Sequence, residues 1–286
     1  MAFGRTAAIA VPMRSGEHAC CHFAHAGDRE RLAVAFVRDR MRRGDKVVYL
    51  FDGDDAAALV ARLKALDPGF EAAMARGQFD VRRARDTYVP DGRFETDRML
   101  SVLREEHDRA RAEGYSGLSV TGEVPDAVCK LPGGEQFGAY EARIASDIDA
   151  PAYSVLCQYD HGRFSPGLLS DVIEAHEVEA SPELAAIGRD GELAAARDRA
   201  SNTLRLAGEL DFGCAQTVSE VLDAQVPGPL RLDLADLSYV DVAGMRALRR
   251  QAGGRLTISP ASDAVRRLLA LLGWDTDPEV ELVETG

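Results

Sequence analysis

Lysine is close to absent from this chain: Lys46, Lys64 and Lys130 are the only three among 34 basic residues in 286. That scarcity removes most candidates for a phosphate-binding lysine, while the arginine excess is what a GC-rich coding sequence gives. Cysteine is also sparse, five in all, an odd number that argues against a disulfide framework and for reduced thiols. No apolar run approaches the roughly eighteen residues a membrane span needs, and the opening MAFGRTAAIAVPM lacks the layout of a secretory leader. The expectation is a soluble, cytoplasmic protein. Positive charge is in deficit throughout: the net charge is -13, with 26 basic against 34 acidic residues in 1–200 and 8 against 13 in 201–286. Neither stretch offers the broad basic surface that counterion release on nucleic acid requires, so direct DNA or RNA binding is not expected. Internal repeats, low-complexity tracts, a Ser/His/Asp set, a nucleophile elbow and a spaced carboxylate pair are all missing, which leaves catalysis without positive support.

What is present is apolar content of 46%, enough for a core in each of two domains. Short β-type runs alternate with helical ones, the pattern of α/β domains with mainly parallel sheets. Strands are expected at His18–Phe23, Lys46–Asp52, Phe79–Arg83, Gly117–Thr121 and Ala152–Tyr159. Helices are expected over Glu30–Arg43, Ala56–Leu66, Phe94–Ala112, Glu135–Ile148 and Gly167–His176. Five strands with intervening helices fit a doubly wound sheet. The polar, alanine-rich 181–202 reads as linker plus the first strand of a second domain. There Thr203–Asp211 is a strand, Cys214, Val218, Val221, Leu222 and Gln225 mark a helix, and PLRLDL alternates with Leu230, Leu232 and Leu234 on one side. Thr257 and Ile258 continue a short strand. Val265, Leu268, Leu269 and Leu272 form a helical stripe capped by Ser262 or Asp263.

In open α/β sheets the ligand crevice lies beyond the carboxyl ends of the strands, and those ends present His22, His25, Asp52, Arg85, Glu123, Cys157 and Tyr159 as a candidate pocket. The densest set of metal-capable side chains is in the first strand, where His18, Cys20 and His22 share a face by alternation and need His25 or Cys157 to complete a ligand set. The spacing matches no paired structural zinc signature. An organic ligand pocket and a purely structural role are the other readings, since a free cysteine in a central strand is usually a small buried hydrophobe. His107, on the helical face of Leu100 and Leu103, reads as a partly buried surface histidine. Glu135 and Glu141 read as solvated or capping, with Glu141 within reach of the crevice.

The C-terminal run LRLAGELD (204–211), PLRLDLADLSYVDVAGMRAL (229–248) and RLTISPASDAVRRLLALLGW (255–274) resembles the STAS domain of anti-sigma-factor antagonists across about 190–280. The resemblance implies a small four-stranded sheet with helices on one side and a surface, here Asp241, Val242, Ala243, Gly244 and Met245, that docks on an anti-sigma factor, usually a kinase-like one. In that family the strand ends at Asp-Ser-(Ser/Thr/Ala)-Gly and the first serine is phosphorylated, which adds nearly two negative charges at the docking face. Val242 stands at the serine position, so that switch is lost; Ser238, three residues before Asp241, reads as structural.

The first 180 residues resemble the MEDS sensory domain, related to the RecA-like fold, through GEHACCHF (16–23), RRGDKVVYLFD (42–52), GRFETDRML (92–100), EGYSGLSVTGEV (113–124), AYEARI (139–144) and LCQYDHGRFSPGLLSDVIEAH (156–176). This implies small-molecule or signal sensing, with ligand and cofactor unspecified. Where a phosphate loop would follow the first strand stands AHAGDRER (24–31), with Asp28 near the lysine position, where an acid repels a β-phosphate. The expected organisation is an α/β protein with a RecA-like, doubly wound sensory domain over 1–180, a linker at 181–189 and a small α/β STAS domain over 190–286. The expected function is a non-enzymatic signalling regulator whose partners are an anti-sigma factor and a small-molecule ligand, without membrane or nucleic acid, and with homo-oligomerisation open. The alternative is a RecA-like nucleotide- or metal-dependent enzyme with an oligomerising STAS domain; a third reading is a scaffold binding proteins through both domains.

Overall fold

Three strands that are buried along their whole length carry the N-terminal sheet: β1 (His18–Phe23), β2 (Lys46–Phe51) and β4 (Leu118–Glu123). A strand with helices on both faces has no solvent side, so the alternating Ser119 and Thr121 of β4 are buried as fully as Leu118 and Val120. The computed structural model describes residues 13–24, 26–147, 153–180, 193–215, 218, 222, 229–252, 254–259 and 262–283. The described residues divide into two units between Glu179 and Ala180; the expected linker at 181–189 lies outside them. Among the described residues no helix is long and apolar enough to cross a membrane.

In Met13–Glu179 the order is β1, α1 (Ala26–Arg42), β2, α2 (Ala56–Leu66), α3 (Gly69–Ala75), β3 (Phe79–Arg83), α4 (Ala84–Tyr88), α5 (Thr96–Ala112), β4, α6 (Phe137–Asp147), β5 (Tyr153–Asp160) and α7 (Pro166–Glu174). A short β6 (Val178–Ala180) follows at the divide. The strands lie in the order β6-β1-β5-β4-β2-β3, and the β1/β5, β5/β4, β4/β2 and β2/β3 pairs are parallel. Helix α1 packs against β1, β2 and β4, while α5 packs on α6 and α6 on α7. The latter helices share one core with Val48, Leu50, Val120, Val155 and Cys157. This is the doubly wound, mainly parallel α/β sheet expected. Helix starts follow local chemistry: Asp55 caps α2 by accepting from the Ala58 amide at 2.8 Å, and Ser165 caps α7 ahead of Pro166.

The C-terminal unit has β7 (Leu193–Asp198), β8 (Thr203–Leu210), β9 (Leu230–Val240), α8 (Val242–Gln251), β10 (Leu256–Ser259), α9 (Asp263–Leu271) and β11 (Val280–Leu282). Residues 212–215, 218 and 222 are helical; Val221 and Gln225 lie outside the described residues. β7 is antiparallel to β8, and β8, β9, β10 and β11 are parallel in that order. The sheet thus has five described strands rather than four, because the chain after α9 turns back to lay β11 beside β10. Leu232, Leu234, Leu248, Leu269 and Trp274 pack in its single apolar core, and Ser262 caps α9 through the Val265 amide at 3.2 Å.

One glycine fixes the entry to α6. Gly133 has φ +88°, and a Cβ there would lie 2.0 Å from the carbonyl oxygen of Phe94, whose amide in turn donates to the Pro132 carbonyl at 2.9 Å. Gly133→Ala is expected to destabilise the N-terminal unit by about 1–3 kcal/mol. Gly138→Ala, on the open face of α6 with nothing within 4 Å, is expected to stabilise it by about 0.5–1 kcal/mol. Urea titration followed by circular dichroism distinguishes opposite shifts from equal ones, and equal shifts would contradict the tight turn at Gly133.

Candidate functional site

β1 and β5 run in register, with Cys20 opposite Cys157 and His22 opposite Tyr159. Alternation turns His18 and Cys20 toward the side that carries Cys157, and α6 and the end of α7 close over it. Four side chains converge there: His18 from β1, Glu141 from α6, Cys157 from β5 and His176 just after α7, with one donor atom of each within 4.8 Å of the others. His18 Nε2 lies 3.2 Å from Glu141 Oε2 and 3.4 Å from Cys157 Sγ. His176 Nε2 lies 3.3 Å from the same carboxylate oxygen and Cys157 Sγ 3.7 Å from it. The side chains of His18, Glu141 and His176 are completely buried.

The electrostatics of this cluster are set by the carboxylate. Burial alone would push Glu141 up, but the imidazoles of His176 and His18 outweigh it and bring the carboxyl to about 2. Burial, helped by the neighbouring His176, lowers His18 to about 4 against the pull of Glu141. Burial also drives the Cys157 thiol well above its ordinary value, with Glu141 adding. The His176 Nδ1 is 2.5 Å from the Val172 carbonyl oxygen, where a ring nitrogen can only donate. In the tautomer whose single proton is on Nδ1, Nε2 presents a lone pair toward the cluster. Four buried atoms around the cluster have no hydrogen-bond partner: His18 Nδ1, Glu141 Oε1, His176 Nε2 and the Tyr159 hydroxyl. Such groups in a native interior call for an explanation.

The expected trio His18, Cys20 and His22 does not form. A strand rises about 3.3 Å per residue, so β1 carries His22 away from His18 to its far end, where Nδ1 meets His161 Nε2 at 2.5 Å and Nε2 meets Glu179 at 2.9 Å. Cys20 packs in the apolar core. Cys157 joins His18, as one of the two expected completions would have it; His25 lies outside the described residues. Glu141 is buried within the cluster instead of solvated, and Cys157 and Tyr159 are buried beside it rather than open at the strand-end crevice. Glu141 and His176 escaped the sequence reading as donors, although each breaks an apolar helical stripe: Phe137, Glu141, Ile144 and Leu169, Val172, His176.

Asp52 and Arg85 do meet at the carboxyl ends of the strands. Asp52 accepts from Arg85 at 3.1 Å and pairs with Arg163 at 2.6 Å, and Arg163 reaches Asp126 at 2.5 Å. A polar pocket opens there, lined by Asp52, Asp54, Arg83, Arg85 and Arg163. Glu123 accepts from the Tyr49 hydroxyl at 2.9 Å, from Arg29 at 3.0 Å and from the Asp52 amide, so it adjoins Asp52 through the backbone. Burial raises its carboxyl above the usual range against the pull of Arg29. His107 is partly buried beside Tyr153.

In the C-terminal unit Asp241 caps α8. Its Oδ1 accepts from the Gly244 amide at 2.8 Å and its Oδ2 from the Phe212 amide at 3.0 Å, while its own amide donates to Leu210 at 3.0 Å. Gly244 is needed because a Cβ would lie 2.6 Å from both the carbonyl oxygen and Cγ of Leu210. Of the expected docking residues, Val242 is 40% exposed, Asp241 and Ala243 are half-buried and Gly244 is buried. Met245 is fully buried in the core: it faces inward on α8 and cannot touch a partner. Phe212 at 79% and Tyr239 at 52% exposure, apolar groups that the sequence reading passed over, flank the same cap. Ser238 donates to the Gly208 carbonyl at 3.0 Å, a structural role.

The first unit is thus a mainly parallel α/β domain with a polar, buried centre, and the second is a small α/β domain with an exposed apolar helix start. The family model described as the methanogen/methylotroph, DcmR sensory domain, MEDS, matches residues 17–177, and one described as Mlab, STAS domain matches 193–284. The chain belongs to the MEDS family and carries a STAS domain after it, the architecture of a signalling regulator. No curated protein sequence matches it. Solved structures similar to it include the flagellar accessory protein FlaH from Methanocaldococcus jannaschii, with 10% identity, TM-score 0.40, covering 59% of this chain and 72% of that one. A KaiC-like protein from Pyrococcus horikoshii OT3 shows 12% identity, TM-score 0.43 and coverage of 62% and 81%. An uncharacterized Pyrococcus horikoshii protein in complex with an unknown peptide shows 9% identity, TM-score 0.45 and coverage of 59% and 78%.

Asp241→Ala removes two acceptor contacts at once and is expected to destabilise the C-terminal unit by about 1–2 kcal/mol, with Asp241→Asn recovering part of the loss. Calorimetry of the three proteins checks this; an unchanged Asp241→Ala transition would contradict the capping role.

Proposed function

We propose that the MEDS domain binds a small polar ligand and thereby sets the affinity of the STAS domain for a protein partner of the anti-sigma-factor class. The observation that carries the reading is the apolar surface around the Asp241 cap, where Phe212, Tyr239 and Val242 are all exposed. Large exposed apolar groups gathered at one rigid feature mark interaction surfaces. Val242 takes the place where the resembling antagonists carry a phosphorylatable serine, so regulation here falls to the attached sensory domain. The pocket around Asp52, Arg85 and Arg163 lies at the carboxyl ends of the strands, where α/β sheets bind ligands, and its mixed charges suit a small zwitterionic or polar molecule. Coupling requires only that the ligand prefer one of two states that differ in partner affinity. With an acidic surface in both parts, an effect on transcription passes through a protein partner.

A reading without nucleotide hydrolysis is supported by the sequence AHAGDRER at 24–31, which lacks the glycine–lysine pattern of a phosphate loop.

Two measurements test the proposal. Val242→Asp is expected to weaken binding to the cognate anti-sigma factor at least about tenfold, as a like charge or lost packing does at a docking centre; unchanged affinity would place the docking face elsewhere. Deleting residues 1–180 is expected to abolish any ligand dependence of that affinity, and equal affinities for both proteins with and without ligand would defeat the coupling.

A further inference from the structure

Four donor–donor separations in the buried cluster of the MEDS domain match the edges of a tetrahedral metal site, and all four donors lie within 4.8 Å of one another. Zinc binds imidazole nitrogen and carboxylate oxygen at about 2.0–2.1 Å and thiolate at about 2.3 Å, so a tetrahedral site sets nitrogen–oxygen edges of about 3.3 Å and edges to sulfur of about 3.6 Å. The corresponding separations are 3.2 and 3.3 Å from Glu141 Oε2 to the two imidazoles, and 3.4 and 3.7 Å from Cys157 Sγ to His18 and Glu141. We propose that His18, Glu141, Cys157 and His176 bind one divalent transition-metal ion of the zinc class.

Three further observations bear on this. A thiolate and a carboxylate carry two negative charges, which balance a divalent cation in a site with no access to water; without it the Glu141 charge has only imidazoles against it. His176 Nδ1 is held by the Val172 carbonyl at 2.5 Å, the outer bond that orients a histidine to coordinate through its other nitrogen. That nitrogen, Nε2, is fully buried, unpartnered and aimed at the centre of the cluster. Binding displaces the Cys157 thiol proton to solvent, one proton per ion when both imidazoles enter neutral. The four ligands come from the protein alone, so the site is closed and structural, tying β1, α6, β5 and the segment after α7 together. It does not rest on the coupling of the two domains.

The test uses the full chain, stripped with a chelator under reducing conditions and titrated with cobalt(II) alone. Uptake of about one equivalent is expected, with the visible bands of tetrahedral cobalt and a near-ultraviolet thiolate-to-cobalt band, all bleached by zinc(II). Cys157→Ser should abolish the thiolate band and weaken binding at least about tenfold. His176→Gln should weaken binding while keeping that band, which preserves the test if the serine variant does not fold. Cys214→Ser, in the other unit, should change neither. Uptake below about a tenth of an equivalent by the parent chain, a thiolate band that survives Cys157→Ser, or one lost in Cys214→Ser would overturn the assignment.

Discussion

A carboxylate with no solvent exposure is the constraint around which the MEDS domain is organised. Burying an isolated charge costs several kcal/mol even after relaxation, so Glu141 is tolerable only while its neighbours stay in place. Those neighbours come from β1, β5 and the end of α7, and α6 itself brings the carboxylate. Displacing any one of these elements leaves a buried ionised group with fewer partners. The interior polarity therefore specifies an arrangement, whereas the surrounding Phe94, Phe137, Tyr140 and Val172 supply the apolar burial. The entry to α6 through Gly133 is strict for the same reason, since it sets where Glu141 arrives.

The C-terminal unit solves its packing differently. Its core is apolar, and besides the ion pair of buried Arg205 with Asp198 it holds the Asp241 cap, which joins the starts of two helical segments by accepting from Gly244 and Phe212. Backbone hydrogen bonds at the cap lie beneath exposed Phe212, Tyr239 and Val242, so these apolar groups stand on a fixed platform. The pocket at Asp52, Arg85 and Arg163 contrasts with this: the Asp52 carboxylate is buried, and it is held by more exposed, long arginine side chains that can rearrange.

Much of the fold was legible because it depends on local pattern. β1, β3 and α2 have the bounds that periodicity and breakers predict, and alternation in PLRLDL places Leu230, Leu232 and Leu234 in the core. Misses have particular causes. Asp67-Pro68-Gly69 reads as a stop, yet Pro68 also sits well at a helix start, and α3 begins there. β7 is the first strand expected within 181–202, although LAAARD has weak β propensity, and pairing with β8 fixes its bounds. β11 forms by pairing with β10, which nothing local announces. The cluster was half legible: His18 and Cys157 stood among the candidates, but residues 18, 141, 157 and 176 lie too far apart for any spacing rule. Three-dimensional closure brings them together, while the compact run His18, Cys20, His22 is drawn apart by strand geometry.

Trp274, the only tryptophan in the chain, lies 7% exposed in the C-terminal core, and the MEDS domain contains no indole at all. Indole emission from the intact protein is consequently a one-sided signal, reporting the surroundings of Trp274 in the C-terminal core. A compound that binds only the MEDS domain and still alters that emission has been felt by the STAS domain. The native protein thus carries an optical readout of communication between its halves, with no added label.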